Sequence, residues 1–470
     1  MVPPLTRLPP VTLRSPIDAG LVRPYARRMS SPEVPVQPPF RLRARLLSPL
    51  PDGSTLWLDD ALLAVDEAGR IASVGSMSEG PEAETVIDLR PLVLMPGLID
   101  THVHLPQVPA AGMGAGMDLL AWLERYVFPL EHDFDTSAAE DLAPQVYRAM
   151  AAAGTTTFAG YAAVWPGSTD ACFRAAEAHG IRAIIGAVLM DRLTYDDRTP
   201  RRAILEQAIR ASGELCERWH GAADGRLRYA FTPRFAVACT ADMLRESAAL
   251  AEHYGATWQT HLSEDAREIA TVAAEFPEAL DYVDVYDRAG GLGRKALLAH
   301  AIHLDEREIA RLVETDSAIA HCPVSNMFIR SGVMPIGRYL EEGLRIGLGT
   351  DVAGAPELSV ITQMRLGFFQ HNSRTTVVGD DAAVPSPLEW IRLGTLGGAE
   401  ALGLDDVIGS IEVGKEADLI AVDPDLGRPP NGQPCRDVQE VASRLIFRER
   451  AGMVRAAWVR GRLLEGPAAA

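Results

Sequence analysis

Residues 97–107, GLIDTHVHLPQ, place two histidines, His102 and His104, one residue apart behind an apolar run. In a β-strand alternate side chains share a face, so the two rings would project to one side, as metal ligands do. Taken alone, the pair reads more simply as two polar residues at a strand end. Further along stand His261 with Glu264, then His300, then Asp351, each at or just past the end of a β-like run. The imidazoles of His102, His104 and His261 and the carboxylate of Asp351, with His300 close by, suit a divalent ion of borderline softness: zinc first, iron or manganese as alternatives. On such an ion the pKa of water falls from about 15.7 to about 7, which would supply a nucleophile at physiological pH.

The elements that would position these residues alternate short β-like runs with longer helical ones, from about residue 92 to 405. The runs are LVLMPGLIDTHVHL, GTTTFAGY, IRAIIGAVLMD, LRYAFTPRF, ATWQTHLSE, KALLAHAIHL, SAIAHCPVSN and RIGLGTDV. Between two of them lies TADMLRESAALAEHYG, which Thr240 is placed to cap and Gly255 to end. Eight strands with helical crossovers predict an α/β fold, a (β/α)8 TIM barrel with insertions. An open doubly wound sheet also alternates and is the structural alternative. Placement of the polar residues separates the two, because His102 and His104, Arg234, His261 with Glu264, His300 and Asp351 fall at the C-terminal ends of five strands. A barrel gathers those ends at one mouth, where barrel enzymes keep their chemistry.

Short, alternating, turn-rich segments flank this core, with turns at Asp52-Gly53 and Ala68-Gly69 and a similar texture in GSIEVGKEADLIAVDP and RAAWVRGRLLEG. The expected organisation is a Pro-rich disordered leader over 1–40, a small β-sandwich domain from 41–91 and 406–465, and a catalytic barrel over 92–405. The leader holds ten prolines and no apolar run of signal-peptide length, and Met29 is an alternative start.

A formal net charge of −18 argues against polynucleotide and anionic-membrane partners, and no apolar stretch is long enough to span a bilayer. Five scattered cysteines without a C-x-x-C pair suggest neither a disulfide framework nor a cysteine zinc cage, and a reducing cytoplasm fits them best. GLGRKA enters a strand instead of leaving one for a helix, so it is no dinucleotide fingerprint, and QPCRDV lacks the second cysteine of the zinc deaminase signature.

PGLIDTHVH, THLSE, LLAHAIHL, IAHCPVSN, GLGTDVAG and GSIEVGKEADLIAVD resemble the motifs of the amidohydrolase superfamily, over about residues 45–465. Within its deaminase branch, HVHLPQ, LLAWLERYVFPLEHDF, FTPRF and TLGGAEALGL are most similar to the guanine deaminases. The resemblance implies hydrolysis of a purine base, guanine, to xanthine and ammonia. It makes His102, His104, His261 and Asp351 the metal ligands and Glu264 the proton shuttle, with His300 and Asp351 activating the water. Gln107 and Arg234 would hydrogen-bond the edge of the base, and Phe235 and Trp122 would line the pocket. Two-metal relatives bridge their ions with a carboxylated lysine on strand four. Here that strand, YAFTPRF, has none, and the only two lysines are Lys295 and Lys415, so one metal per chain is expected. A homodimer is expected on the same resemblance.

Each assignment has a plainer counterpart. Glu264 could be a helix N-terminal carboxylate stabilised by the dipole, and an aromatic such as Phe235 or Trp122 near a strand end is commonly core. His303, His321 and Cys322 read as structural. Val324 and Arg330 depart from the run usual in relatives. They leave open a related hydrolase acting on 8-oxoguanine, a pterin or a triazine. An inactive binding or assembly protein is the reading from another class, and it predicts missing ligands.

Overall fold

Ile99, Thr101 and Val103 alternate with Asp100, His102 and His104 in β5 (Leu98–His104), and every residue of that strand is buried. Strands buried on both faces are typical of a parallel sheet enclosed by helices. The computed structural model describes residues 34–79, 85–195, 198–379 and 382–466. The parallel strands continue through β6 (Thr155–Tyr161), β7 (Arg182–Gly186), the two-residue β8 (Val188–Leu189), β9 (Leu227–Pro233), β10 (Thr257–Leu262), β11 (Ala296–His300), β12 (Ala318–His321) and β13 (Arg345–Leu348). Apart from β8, which pairs only with β9, each strand bonds the next in chain order.

The ring closes between its first and last strands. The Asp351 N–H donates to the His102 carbonyl at 2.8 Å, and the His104 N–H to that of Val352 at 3.3 Å. Asp100 ties the seam, its carboxylate accepting from the backbone N–H and hydroxyl of Thr350 at 2.9 and 2.6 Å. This is a (β/α)8 barrel, and all eight expected runs contain its strands. Inside it, Ile99, Ala159, Ile184, Ala230 and Leu297 pack together from five strands and are stoppered by Leu402, Leu404 and Ile408. The helix Ala241–Tyr254 starts at Thr240, whose side chain accepts from the Met243 N–H, and ends at Gly255 with φ 62°.

The remaining strands form a separate seven-stranded sheet. They are β1 (Phe40–Pro49), β2 (Thr55–Val65), β3 (Ile71–Ser76), β4 (Ile87–Pro96), β14 (Leu419–Val422), β15 (Val454–Val459) and β16 (Arg462–Leu463). Their spatial order is β16-β15-β14-β4-β1-β2-β3, so both ends of the chain contribute. The register breaks in β1 between Ala44 and Leu46, where a bulge bends a strand. Leu42, Ala44, Leu46, Leu63, Leu94 and Trp458 fill a core of its own.

Three placements differ from the expected organisation. Residues 92–96 belong to β4 of the outer sheet, and the barrel strand begins only at Leu98. The chain changes sheets at Gly97, where a Cβ would collide with Thr156. A continuous apolar run carries no mark of such a crossing. Secondly, the segment between β14 and β15 contains the helix Val438–Phe447, whose Val441, Ala442, Leu445 and Ile446 bury in the barrel's main core. That spacing is one face of a helix, not a strand. Thirdly, residues 34–39, assigned to the leader, dock on the outer sheet: the Trp458 indole donates to the Pro35 carbonyl at 2.8 Å, and the Leu463 N–H to that of Val36 at 3.0 Å. The rest of the leader, 1–33, lies outside the described residues.

Candidate active site

β5, β10, β11 and the turn after β13 bring His102, His104, His261, His300 and Asp351 to one end of the barrel. His102 Nε2 and His104 Nε2 stand 3.3 and 3.5 Å from Asp351 Oδ1. His104 Nε2 and His261 Nε2 are 3.1 Å apart. Donors at about 2.0–2.1 Å from a tetrahedral ion are separated by roughly 3.3 Å, so these spacings are the edges of such a cage. Candidate donor atoms of His102, His261, His300 and Asp351 also lie within 4.8 Å of one another. His300 Nε2 stands 3.9 Å from Asp351 Oδ2 and 3.5 Å from Glu264 Oε2.

The protonation of the cluster suits a cation. Burial, reinforced by the neighbouring imidazoles, holds His104 and His261 well below the usual histidine range. Burial likewise lowers His102, although Asp351 opposes it. Burial alone would raise Asp351, but the facing histidines outweigh it and keep the carboxyl ionised. Neutral imidazoles and an anionic carboxylate are the forms that bind metal. His102 Nε2, buried in their midst, has no hydrogen-bond partner among the described residues.

Orienting contacts surround the cluster. His261 Nδ1–H donates to the Arg234 carbonyl at 2.6 Å, and His300 Nδ1 pairs with Asn326 Oδ1 at 2.8 Å. Ser325 Oγ donates to Asp351 Oδ2 at 2.6 Å. Both β11 and the turn after β13 reach the site through left-handed residues, His300 at φ 70° and Asp351 at φ 48°. Gly349 lets the last strand approach: a Cβ there would sit 2.7 Å from His102 Cβ and 2.9 Å from Cys322 Sγ.

Glu264 follows β10 and is buried, with Ser331 Oγ donating to its Oε1 at 3.1 Å. Burial pushes its carboxyl up to about 7, the nearby His300 opposing and Asp351 adding to the rise. Burial also works to lower His300, but the carboxylates of Glu264 and Asp351 outweigh it and raise its proton affinity. A carboxyl poised near neutrality can take and return a proton in one cycle.

One cavity joins these groups to Gln107, Leu119, Trp122, Leu123, Arg234, Phe235 and Ile329. The Phe235 ring stands 6.4 Å from that of His261, and the Trp122 indole donates to the Met113 carbonyl at 3.1 Å. Every site residue singled out in the sequence lies in or beside this cavity. His303 and His321 do not join the cluster. His303 Nε2 pairs with the Ser331 carbonyl at 2.8 Å, and His321 packs beside Trp390. Burial lifts the Cys322 thiol far above its usual range, which makes it inert.

Sequence reasoning missed Asp100, Ser325, Asn326, Ser331 and Glu131. Glu131 is fully buried and accepts from both Gln107 and Arg234. The acidic residue two before His102, inside an apolar run, was the one available signal for Asp100. The others carry no spacing pattern.

Comparison with known proteins agrees with this geometry. Residues 93–464 match the amidohydrolase family. The chain belongs to that family. Among its amidohydrolase relatives, a probable guanine deaminase of Deinococcus radiodurans is 38% identical over 390 residues, covering 80% of this chain and 86% of the relative. The guanine deaminase of Escherichia coli is 36% identical over 374 residues, covering 78% and 82%. Among solved amidohydrolase structures, guanine deaminase from C. acetobutylicum with guanine bound in the active site superposes with a TM-score of 0.84 at 26% identity, covering 90% of this chain and 99% of that one. An adenosine deaminase from Xanthomonas campestris with bound zinc gives 0.79 at 25% identity, covering 93% and 96%.

Proposed function

We propose that this amidohydrolase deaminates guanine: guanine and water give xanthine and ammonia. The observation that carries the reading is a single cavity lined by His104, His261, His300 and Asp351 of the cluster, by Glu264 and by the two base-edge readers Gln107 and Arg234. The guanine deaminase relatives support the same substrate. His102, His104, His261 and Asp351 hold one divalent ion, zinc by the three-nitrogen, one-oxygen donor set and by the zinc-bearing adenosine deaminase. The ion's contribution is to lower the pKa of a water in the site towards neutrality.

The chain's own residues do the rest. Asp351 and His300 orient the attacking water, and Glu264 takes its proton. Glu264 passes that proton to ring nitrogen N3 while the water oxygen bonds to C2, and C2 becomes tetrahedral. The second proton of the water moves through the same carboxylate to the 2-amino group, the C2–N bond to that group breaks to release ammonia, and the water oxygen is left as the new C2 carbonyl of xanthine. Gln107 both donates and accepts, and Arg234 presents fixed donors to a carbonyl oxygen, so an oxo-purine satisfies both. A base lacking that oxygen leaves buried donors unpaired, which discriminates strongly.

The test is ammonia release by metal-analysed protein against guanine, 8-oxoguanine, adenine, cytosine, pterins and triazines, with Glu264→Gln as control. Guanine turnover that falls at least about 100-fold in the variant, at about one metal per chain, is expected. Turnover of another heterocycle with guanine inert would overturn the substrate. Mass measurement in solution reads the expected homodimer.

A further inference from the structure

Resting on the guanine reading above, we infer that Glu131 is a positioning residue that sets the specificity of the base-reading pair by holding Gln107 and Arg234 in one fixed arrangement. Glu131 lies in the last helix of the stretch beside the pocket, Leu119–Trp122, Leu123–Val127 and Phe128–Asp133. It is fully buried, and each of its oxygens is spoken for. Oε1 accepts from Gln107 Nε2 at 2.8 Å. Oε2 accepts from Arg234 Nη1 and from the Tyr195 hydroxyl, the latter at 2.5 Å.

These bonds decide what the readers offer to a ligand. A carboxylate accepts only, so the Gln107 atom facing it is the NH2 group, and the amide oxygen is turned towards the Ala353 N–H at 3.4 Å. One N–H and one lone pair of Gln107 remain for the base, in a fixed order. Arg234 is clamped twice by this stretch, through Glu131 and through the Phe128 ring 5.3 Å from its guanidinium carbon. Its remaining N–H groups are therefore fixed donors. The Arg234 backbone meanwhile orients His261, so reader and metal-ligand candidate share one residue.

The pair also fixes the charge of the reading edge. With Glu131 opposite, Arg234 offers donors without a net positive charge, which suits a neutral oxo-purine. Unpaired, the same guanidinium would favour anionic heterocycles. The Tyr195 hydroxyl completes the bonding of the carboxylate.

Glu131→Gln keeps the shape and removes the charge, and the full-length, metal-loaded protein is the sample. The expected result is a guanine kcat/KM lower by about 10- to 100-fold, the loss of a charge-assisted bond. Most of it should appear in KM, measured on the folded fraction, with metal content per folded chain close to wild type and a lower melting temperature, since Arg234 is left buried without its counter-charge. Glu131→Gln should cost less in the Gln107→Ala background than in wild type, because only the part that passes through Arg234 is left to lose. A wild-type KM would overturn the inference, as would a kcat that falls in step with lost metal or lost folded protein. If the wild type turns over a different heterocycle from the panel, the guanine reading fails by itself, and the same KM comparison on that substrate decides the role of Glu131. Crystal structures of wild type and Glu131→Gln give a readout independent of turnover. Arg234 and the Gln107 amide should leave their positions in the variant, and finding both unmoved would sink the inference.

Discussion

Glu264 and Asp351 are two buried carboxyls 3.5 and 3.9 Å from the same histidine, His300, yet they are driven in opposite directions. Asp351 faces imidazoles and stays ionised, whereas burial dominates Glu264 and brings it to about 7 from an ordinary 4.5. As the proton acceptor, Glu264 must be unprotonated to start a cycle, so activity falls as pH drops through its pKa. A bound divalent ion pulls that pKa down from 7. The acid limb of the kcat/KM profile is accordingly expected between about 4.5 and 7. A profile flat down to pH about 4 would contradict the role. The ligand residues were legible in the sequence because they carry spacing: one residue between two histidines, and a glutamate three past His261. Glu131, Ser325 and Asn326 lie within LLAWLERYVFPLEHDF and IAHCPVSN, but they act across the fold on partners distant in the chain, and no spacing within those stretches assigns them a role.

At the scale of elements, eight β-like runs separated by helical stretches specify a parallel α/β sheet, because a parallel strand can be joined to the next only by a crossover, and the polar residues gathered at the strands' C-terminal ends favour a barrel over an open sheet. What the runs do not specify is where the outer sheet stops, since β4 and β5 share one apolar stretch broken only at Gly97. The two sheets are fastened by an ion cluster that composition hid. Arg182, opening β7, donates through Nε to Asp418 at 2.8 Å and through Nη2 to Glu416, just before β14. Arg460 joins Glu416 at 2.7 Å. Arg182→Ala would take from two buried carboxylates at the junction the guanidinium they share, leaving Glu416 to Arg460 and the half-exposed Arg70. A loss of about 3 kcal/mol is expected, seen as a lower urea midpoint, with kcat/KM of the folded protein unchanged. An unshifted midpoint would show that the cluster does not hold the junction.

On the scale of the whole molecule, closure of the barrel is what makes a site from residues 249 positions apart, His102 to Asp351. The seam itself is part of that site: the Asp351 N–H bonds the His102 carbonyl, so the first and last strands deliver their ligands together. The outer sheet and the helix Val438–Phe447 brace the barrel from outside and contribute no residue to the cavity. No helix among the described residues is long and apolar enough to cross a membrane. The measurement that tests the central claim most directly is turnover of guanine by metal-loaded protein in 18O-labelled water, with the xanthine analysed by mass. The account predicts one labelled oxygen per xanthine, one ammonia released with it, and loss of both when the metal is removed by a chelator. Xanthine without label, or undiminished turnover after the metal is gone, would contradict it.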